Sequence, residues 1–154
     1  MSKKSAKEEL LPFKILNEKY HMFESEDGSI ISAKFVLIHI VKMPAQKGMD
    51  KSGYYFQSQF VTGVWALPKN RGERDKSYTT DELAKFIEKE NLMFKQIQDG
   101  GSNLYETDEF NLLINYRVKQ IDKTSKFDSM GVPAYIIRSE SEVLVQEKPK
   151  EKKE

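Results

Sequence analysis

The chain has 154 residues, 38% of them hydrophobic and 32% charged, with a formal net charge of +1. That length and composition suit one globular domain with a buried core and exclude a wholly disordered chain. The absence of cysteine removes disulfides, thiolate metal sites and Cys nucleophiles from consideration.

Both ends, 1–9 and 146–154, read as flexible tails rich in Lys and Glu without apolar periodicity. Each carries +1 and leaves the remainder at −1, short of the basic excess by which a dedicated duplex binder neutralises phosphates. The longest apolar run, 35–41, is too short to span a bilayer. The Lys-containing N-terminus lacks an apolar leader segment, so a cytoplasmic location without a membrane partner is the expectation.

The body, 10–145, reads as one β-rich domain made of two units, 13–67 and 103–145, with a helix over 80–97 between them. In the first unit a strand near 20–25 leads into Asp27-Gly28, a turn pair whose glycine accepts positive φ. The strand over 30–43 then places Phe35, Leu37, His39 and Val41 on one face and Val36, Ile38 and Ile40 on the other. Two apolar faces predict a central strand. A loop over 44–53 leads to a third strand, 54–67. An aromatic base-stacking platform over 52–60 would turn Tyr54, Phe56 and Phe60 outwards and Gln57 and Gln59 into the core. Polarity favours the reverse.

The loop 68–77 is basic and turn-rich. Helix 80–97 opens on a Thr79–Glu82 capping box, and Leu83, Phe86, Ile87, Phe94 and Ile97 form its apolar stripe. In the second unit Leu112, Ile114, Tyr116 and Val118 alternate with wetter neighbours, which predicts one buried face. The last strand, 132–145, exposes Arg138, Glu140 and Glu142 and starts at Pro133, which fits an edge position.

The expected fold is therefore mainly β with one helix (α+β): two hairpin-based β units sharing a barrel-like or sandwich core. Each unit runs through an aromatic–Glu pair, an acidic turn, a long strand, a Gly-containing loop and a Tyr-led strand. An internal duplication would produce that order, and so would the turn chemistry common to all hairpin meanders.

Chemistry is sparse. His21 and His39 lack metal-ligand spacing, and His39 in an apolar strand reads as a core or interface histidine. No metal and no cofactor is expected. No nucleophile elbow, phosphate loop or dinucleotide fingerprint is present. The Glu26–Asp27 and Asp108–Glu109 pairs fall in turns. The leading expectation is a non-catalytic protein-interaction or assembly module with a protein partner or self-association. The alternative is single-stranded nucleic-acid binding through Tyr55, Trp65, Lys69, Arg71, Arg74, Lys76, Arg117 and Lys119. A small-ligand binder or an enzyme of unrecognised type comes third, and a pocket around His39 would favour it.

Overall fold

A computed structural model describes residues 7–45 and 53–149. The tail expectations for 1–6 and 150–154, and most of the loop expected over 44–53, lie outside the described residues.

Two antiparallel five-stranded sheets pack face to face. The first contains β1 (Glu9–Leu11), β3 (His21–Ser25), β4 (Ile30–Met43), β5 (Gly53–Trp65) and β7 (Phe94–Gln98). The second contains β2 (Lys14–Asn17), β6 (Ile87–Lys89), β8 (Asn103–Glu106), β9 (Phe110–Phe127) and β10 (Pro133–Glu147). The sheets do not close into a barrel, so the sandwich alternative holds and the barrel does not. Closure would need β5 and β10 to find partners, and among the described residues each pairs only with the long strand before it.

The sheets follow one plan. In the first, β4 is central, with β5 along one edge and β3 and β1 sharing the other, while β7 lies outside β3. In the second, β9 is central, with β10 along one edge and β8 and β6 sharing the other, while β2 lies outside β8. Thus β2 leaves the first half of the chain to complete the second sheet, and β7 does the reverse. A bulge in each long strand falls at matching positions. Ile38 is skipped between the Leu37–Ser58 and His39–Gln57 pairs, and Lys119 between the Val118–Ser139 and Gln120–Arg138 pairs.

The bulge explains one departure from the alternation. It reverses the facing of β4, so Leu37 and Ile40 are both buried and His39 is exposed on the outer face, not in the core. In β9 the same device lets Ile121 join Leu112, Ile114, Tyr116 and Val118 in the interior.

Two core clusters form between the sheets. One joins Phe23, Ile31 and Ala33 to Leu92, Val118, Ile121 and Tyr135. The other joins Tyr105, Phe110, Leu112 and Ile114 to Leu37 and Ile40. Tyr54, Phe56 and Phe60 pack against these clusters, and Gln57 and Gln59 are exposed, as polarity requires.

Helix 80–97 is the main correction. The capping box forms, with Thr79 Oγ1 accepting from the Glu82 N–H and Glu82 from the Thr79 N–H. The α-helix, α1, covers only Thr80–Leu83, followed by a 3-10 turn over Ala84–Phe86. Asn91 then takes a left-handed φ of 54° and gives its N–H to the Asp122 carboxylate. From there β7 runs along β3. The free edges of β9 and β3 recruit this segment as strands, and ladder pairing with burial of Leu92 and Phe94 overrides helix propensity. At the chain ends β1 begins at Glu9, within the expected tail. Likewise β10 continues to Glu147, and the Lys148 N–H still donates to Glu109 O.

Candidate functional site: latches, a cavity and an open edge

Each sheet sends a turn carboxylate to the other. Asp27, in the β3–β4 turn, accepts from Tyr135 Oη of β10 and pairs with Lys123 Nζ of β9 at 3.2 Å. Glu109, in the β8–β9 turn, accepts from Tyr54 Oη of β5 at 3.1 Å and from Lys42 Nζ of β4 at 3.0 Å. Lys42 lies opposite Tyr54 as Lys123 lies opposite Tyr135, so one latch repeats the other. Burial works against the Asp27 carboxylate. The hydroxyls of Ser25 and Tyr135, the Ser29 N–H and the Lys123 ammonium outweigh it and hold the pKa far below the usual range. Lys42 is the main cause of the lowered Glu109 pKa. Burial, then the facing carboxylate, raises the pKa of both Tyr54 and Tyr135. Groups held so firmly in one charge state make a clamp between sheets, not an acid–base pair poised near neutrality.

A cavity of about 300 Å³ opens between β3–β7 and β9, lined by His21, Phe23, Phe94, Gln96, Asp99, Tyr116, Arg117 and Val118. His21 is buried on the same face as Phe23 and stands edge-on to Tyr116, ring centroids 4.6 Å apart. Its Nε2 lies 3.0 Å from Gly101 O and its Nδ1 2.9 Å from Gln96 Nε2. The matching place in the other half is filled from within. There Glu18 accepts from Tyr105 Oη and, at 3.2 Å, from the Leu37 N–H, where the His21 side offers Phe23 and Val118. His39 does not line this cavity or the clefts beside Asn115–Arg117, Pro12–Lys14 and Thr62–Val64.

The structure separates the eight residues singled out for nucleic-acid binding. Tyr55 (58% exposed) and Trp65 (51%) lie on the outer face of β5 at opposite ends, about 33 Å apart along an extended strand. Arg71 sits with its guanidinium 5.8 Å from the Trp65 ring centre, anchored by its Nε to Ala66 O, and Lys69 lies in the adjoining 3-10 turn. Beyond them, the Gly72 and Asp75 N–H groups bond to Gly131 O and Asp128 O of the β9–β10 turn. Arg74 is exposed in that stretch, and Lys76 pairs with Glu82. Arg117 and Lys119 are on the second sheet, and both meet Glu140. Trp65, Lys69 and Arg71 form one local group, and Arg117 with Lys119 a separate one around Glu140 on the other sheet.

β10 is protected over only part of its length. Its first half is buried at Pro133, Tyr135 and Ile136, while every residue from Glu140 to Glu147 is exposed. Within that half Val143, Leu144 and Val145 are 44%, 47% and 40% exposed. Opposite residues of a ladder share a face, so Val143 and Val145, across from Ile114 and Leu112, face inward, and Leu144, across from Leu113, faces outward. The outer edge of β10 meets no other strand among the described residues. The sequence carried the edge placement in Pro133 and its facing charges. It gave no sign that the apolar end would be the uncovered one.

Among the described residues no three His, Asp or Glu side chains converge as metal ligands, and no helix is long and apolar enough to cross a membrane. Comparison of the chain with family models, with curated proteins and with solved structures finds no match.

Proposed function

We propose that the protein is a non-catalytic interaction or assembly module that receives a protein strand along the open edge of β10. The observation that carries this reading is the run Val143–Leu144–Val145, apolar and exposed on an unpaired edge. Such an edge offers a row of backbone donors and acceptors together with alternate side-chain contacts, the two elements of recognition by strand addition. The Asp27 latch, with Tyr135 and Lys123, secures the opposite end of β10, and at this end the chain is tied to Glu109 only after the apolar run, through the Lys148 N–H.

The two-unit organisation supports an origin by internal duplication with exchange of the second strand. Matching offsets relate Leu11 to Leu92, Phe13 to Phe94, Ile38 to Lys119, Lys42 to Lys123 and Tyr54 to Tyr135. An ancestral unit of this kind would have assembled as a strand-exchanged pair, which fits a protein whose business is association.

The Lys148 N–H bonds back to Glu109 O, so alternation turns the N–H groups of Val143 and Val145 to the open edge. Val143→Pro, which removes one of those edge donors, is expected to abolish association while leaving the circular dichroism of the sandwich unchanged. Equal association by the parent and the Pro variant would remove this reading. A second reading, single-stranded nucleic-acid binding, rests on Arg71 over the exposed Trp65 ring. Trp65 fluorescence titrated with short oligonucleotides at two salt concentrations tests it, and the absence of a salt-dependent change removes it.

A further inference from the structure

We infer that the strand received by β10 is the β10 of a second copy of this chain, antiparallel, with Leu144 opposite Leu144 on a twofold axis. The inference rests on the interaction reading above and names its partner.

The register follows from self-complementarity. With Leu144 on the axis, Val143 meets Val145 of the second copy on the inner face and Leu144 meets its own image on the outer face. Glu140 then stands opposite Lys148, and Glu142 opposite Gln146. Neighbouring registers are worse. Placing Val143 on the axis sets Arg138 against Lys148, a like-charge pair. Placing Val145 there sets Val143 against Glu147 and Leu144 against Gln146. Like charges directly opposite destabilise a ladder, and apolar pairs support it. Lys148 already reaches a carboxylate on its own chain, Glu106, at 3.1 Å, so its side chain lies along this sheet. Glu140, Glu142 and Glu147, which on a solitary edge would discourage pairing, are in this arrangement matched or placed beside polar residues.

The other occupants fit less well. The segments outside the described residues read MSKKSA, QKGMDKS and KEKKE, too polar to cover three adjacent aliphatic side chains. The companion edge, β5, carries no charge. However, its inward residues Tyr54, Phe56, Phe60 and Val64 already pack on the core clusters, so it has less to gain. An isologous contact of this length falls below about 1,200 Å² of buried surface, which implies a micromolar, concentration-dependent dimer.

Cysteine cross-linking of the full chain tests this, because the sequence contains no other thiol. Directly opposite residues in an antiparallel ladder lie about 4.5–5.5 Å apart at Cα, within reach of a disulfide. Under mild oxidation Leu144→Cys should give a covalent dimer. Ser141→Cys alone should not, whereas a mixture of Ser141→Cys and Glu147→Cys chains should. Light scattering should show a monomer–dimer equilibrium that Leu144→Lys weakens at least about tenfold, with the thermal unfolding of the dilute protein unchanged. A monomer throughout the range to 1 mM (a concentration about a thousandfold above micromolar dissociation), without a Leu144→Cys dimer, would overturn the inference. So would a dimer that cross-links through Gln57→Cys of β5 and not through residue 144. Amide exchange of 140–147 in cell extract separates the two levels if the chain is monomeric. Slowed exchange retains strand addition by a different protein and discards self-pairing, and unslowed exchange discards both.

Discussion

Phe13 stands edge-on to Tyr105 across the junction of β2 and β8, ring centroids 5.7 Å apart and planes at 88°. The pair is repeated on the other side of the sandwich, where Phe94 of β7 meets Phe23 of β3 at 5.7 Å and 85°. In both cases the first ring comes from the exchanged segment and the second from the host sheet, so the edge-on contact anchors the exchange. Lys14 opposite Glu106 and Lys95 opposite Glu24 add a matching charged pair beside each.

Phe13→Ala and Phe94→Ala should therefore cost similar amounts. Both rings are half-buried, which puts each loss at about 2–3 kcal/mol, under the range for a fully buried Phe. The anchors belong to different clusters, so the double variant should show the sum within about 0.5 kcal/mol. Urea denaturation read by far-UV circular dichroism measures all three, and a loss confined to one of the two sites would contradict equivalent anchors.

The exchange also dictates how the chain divides. A fragment ending in the 68–77 connector keeps β3, β4 and β5 but lacks β7, and it carries β2 with no β8 to pair. The complementary fragment has the reverse defect. Neither should give a folded monomer, and mixing them should restore the strand signal and a 1:1 complex on size exclusion. A cooperatively unfolding monomer from either fragment would show that the exchanged strand is dispensable.

Much of this plan is legible in the sequence because period-two alternation and turn residues act locally. Asp27-Gly28 forms the expected turn, with Gly28 at a φ of 84°, and β4 spans the whole of 30–43. What alternation cannot convey is an interruption of itself. The bulges at Ile38 and Lys119 leave no mark in composition, so His39 is misplaced. Segment 80–97 fails for a different reason. Its capping box and apolar spacing are real helix signals, but the strand edges it completes come from residues far away in sequence. The same limit hid the His21 cavity and the uncovered end of β10, which depend on what the opposite sheet does or does not cover.

The latches differ in burial, and acid should expose the difference. Asp27 and Lys123 are more enclosed than Glu109 and Lys42. The folded pKa of Asp27 is depressed, so its stabilisation is fully present above the unfolded value of about 4 and is lost as pH falls through the folded value. Asp27→Asn should cost about 1–2 kcal/mol at pH 7, after allowance for partial exposure, and should flatten the decline of melting temperature below pH 4. Glu109→Gln should cost under about 1 kcal/mol. On the alkaline side the raised pKa of Tyr135 gives the opposite sign: its contribution fades as pH rises above about 10. Melting curves from pH 2 to 11 on both variants and the parent decide the matter, and an unchanged acid limb for Asp27→Asn would rule out this latch.

The crossover loops that carry the exchange are clasped at Gly100 by side-chain amides bonded to the backbone of the facing loop. Asn17 Nδ2 donates to Gly100 O at 3.0 Å and Ser102 O at 2.8 Å, and Gln98 Nε2 returns a bond to Tyr20 O at 3.3 Å. A Cβ on Gly100 would lie 2.7 Å from Tyr20 O and 2.8 Å from Lys19 O. These are main-chain atoms that can yield only by parting the loops. Gly100→Ala should thus cost about 2–3 kcal/mol, and the shift should also disturb the neighbouring His21 ring, whose Nε2 faces Gly101 O. Gly53→Ala is the control, since its Cβ would meet nothing within 4 Å, and its effect should stay within about 0.5 kcal/mol. Urea titrations give the two costs, and the proton spectrum of the His21 ring reports the local change. Equal tolerance of alanine at both glycines would mean that the loops do not approach as closely as the clasp demands.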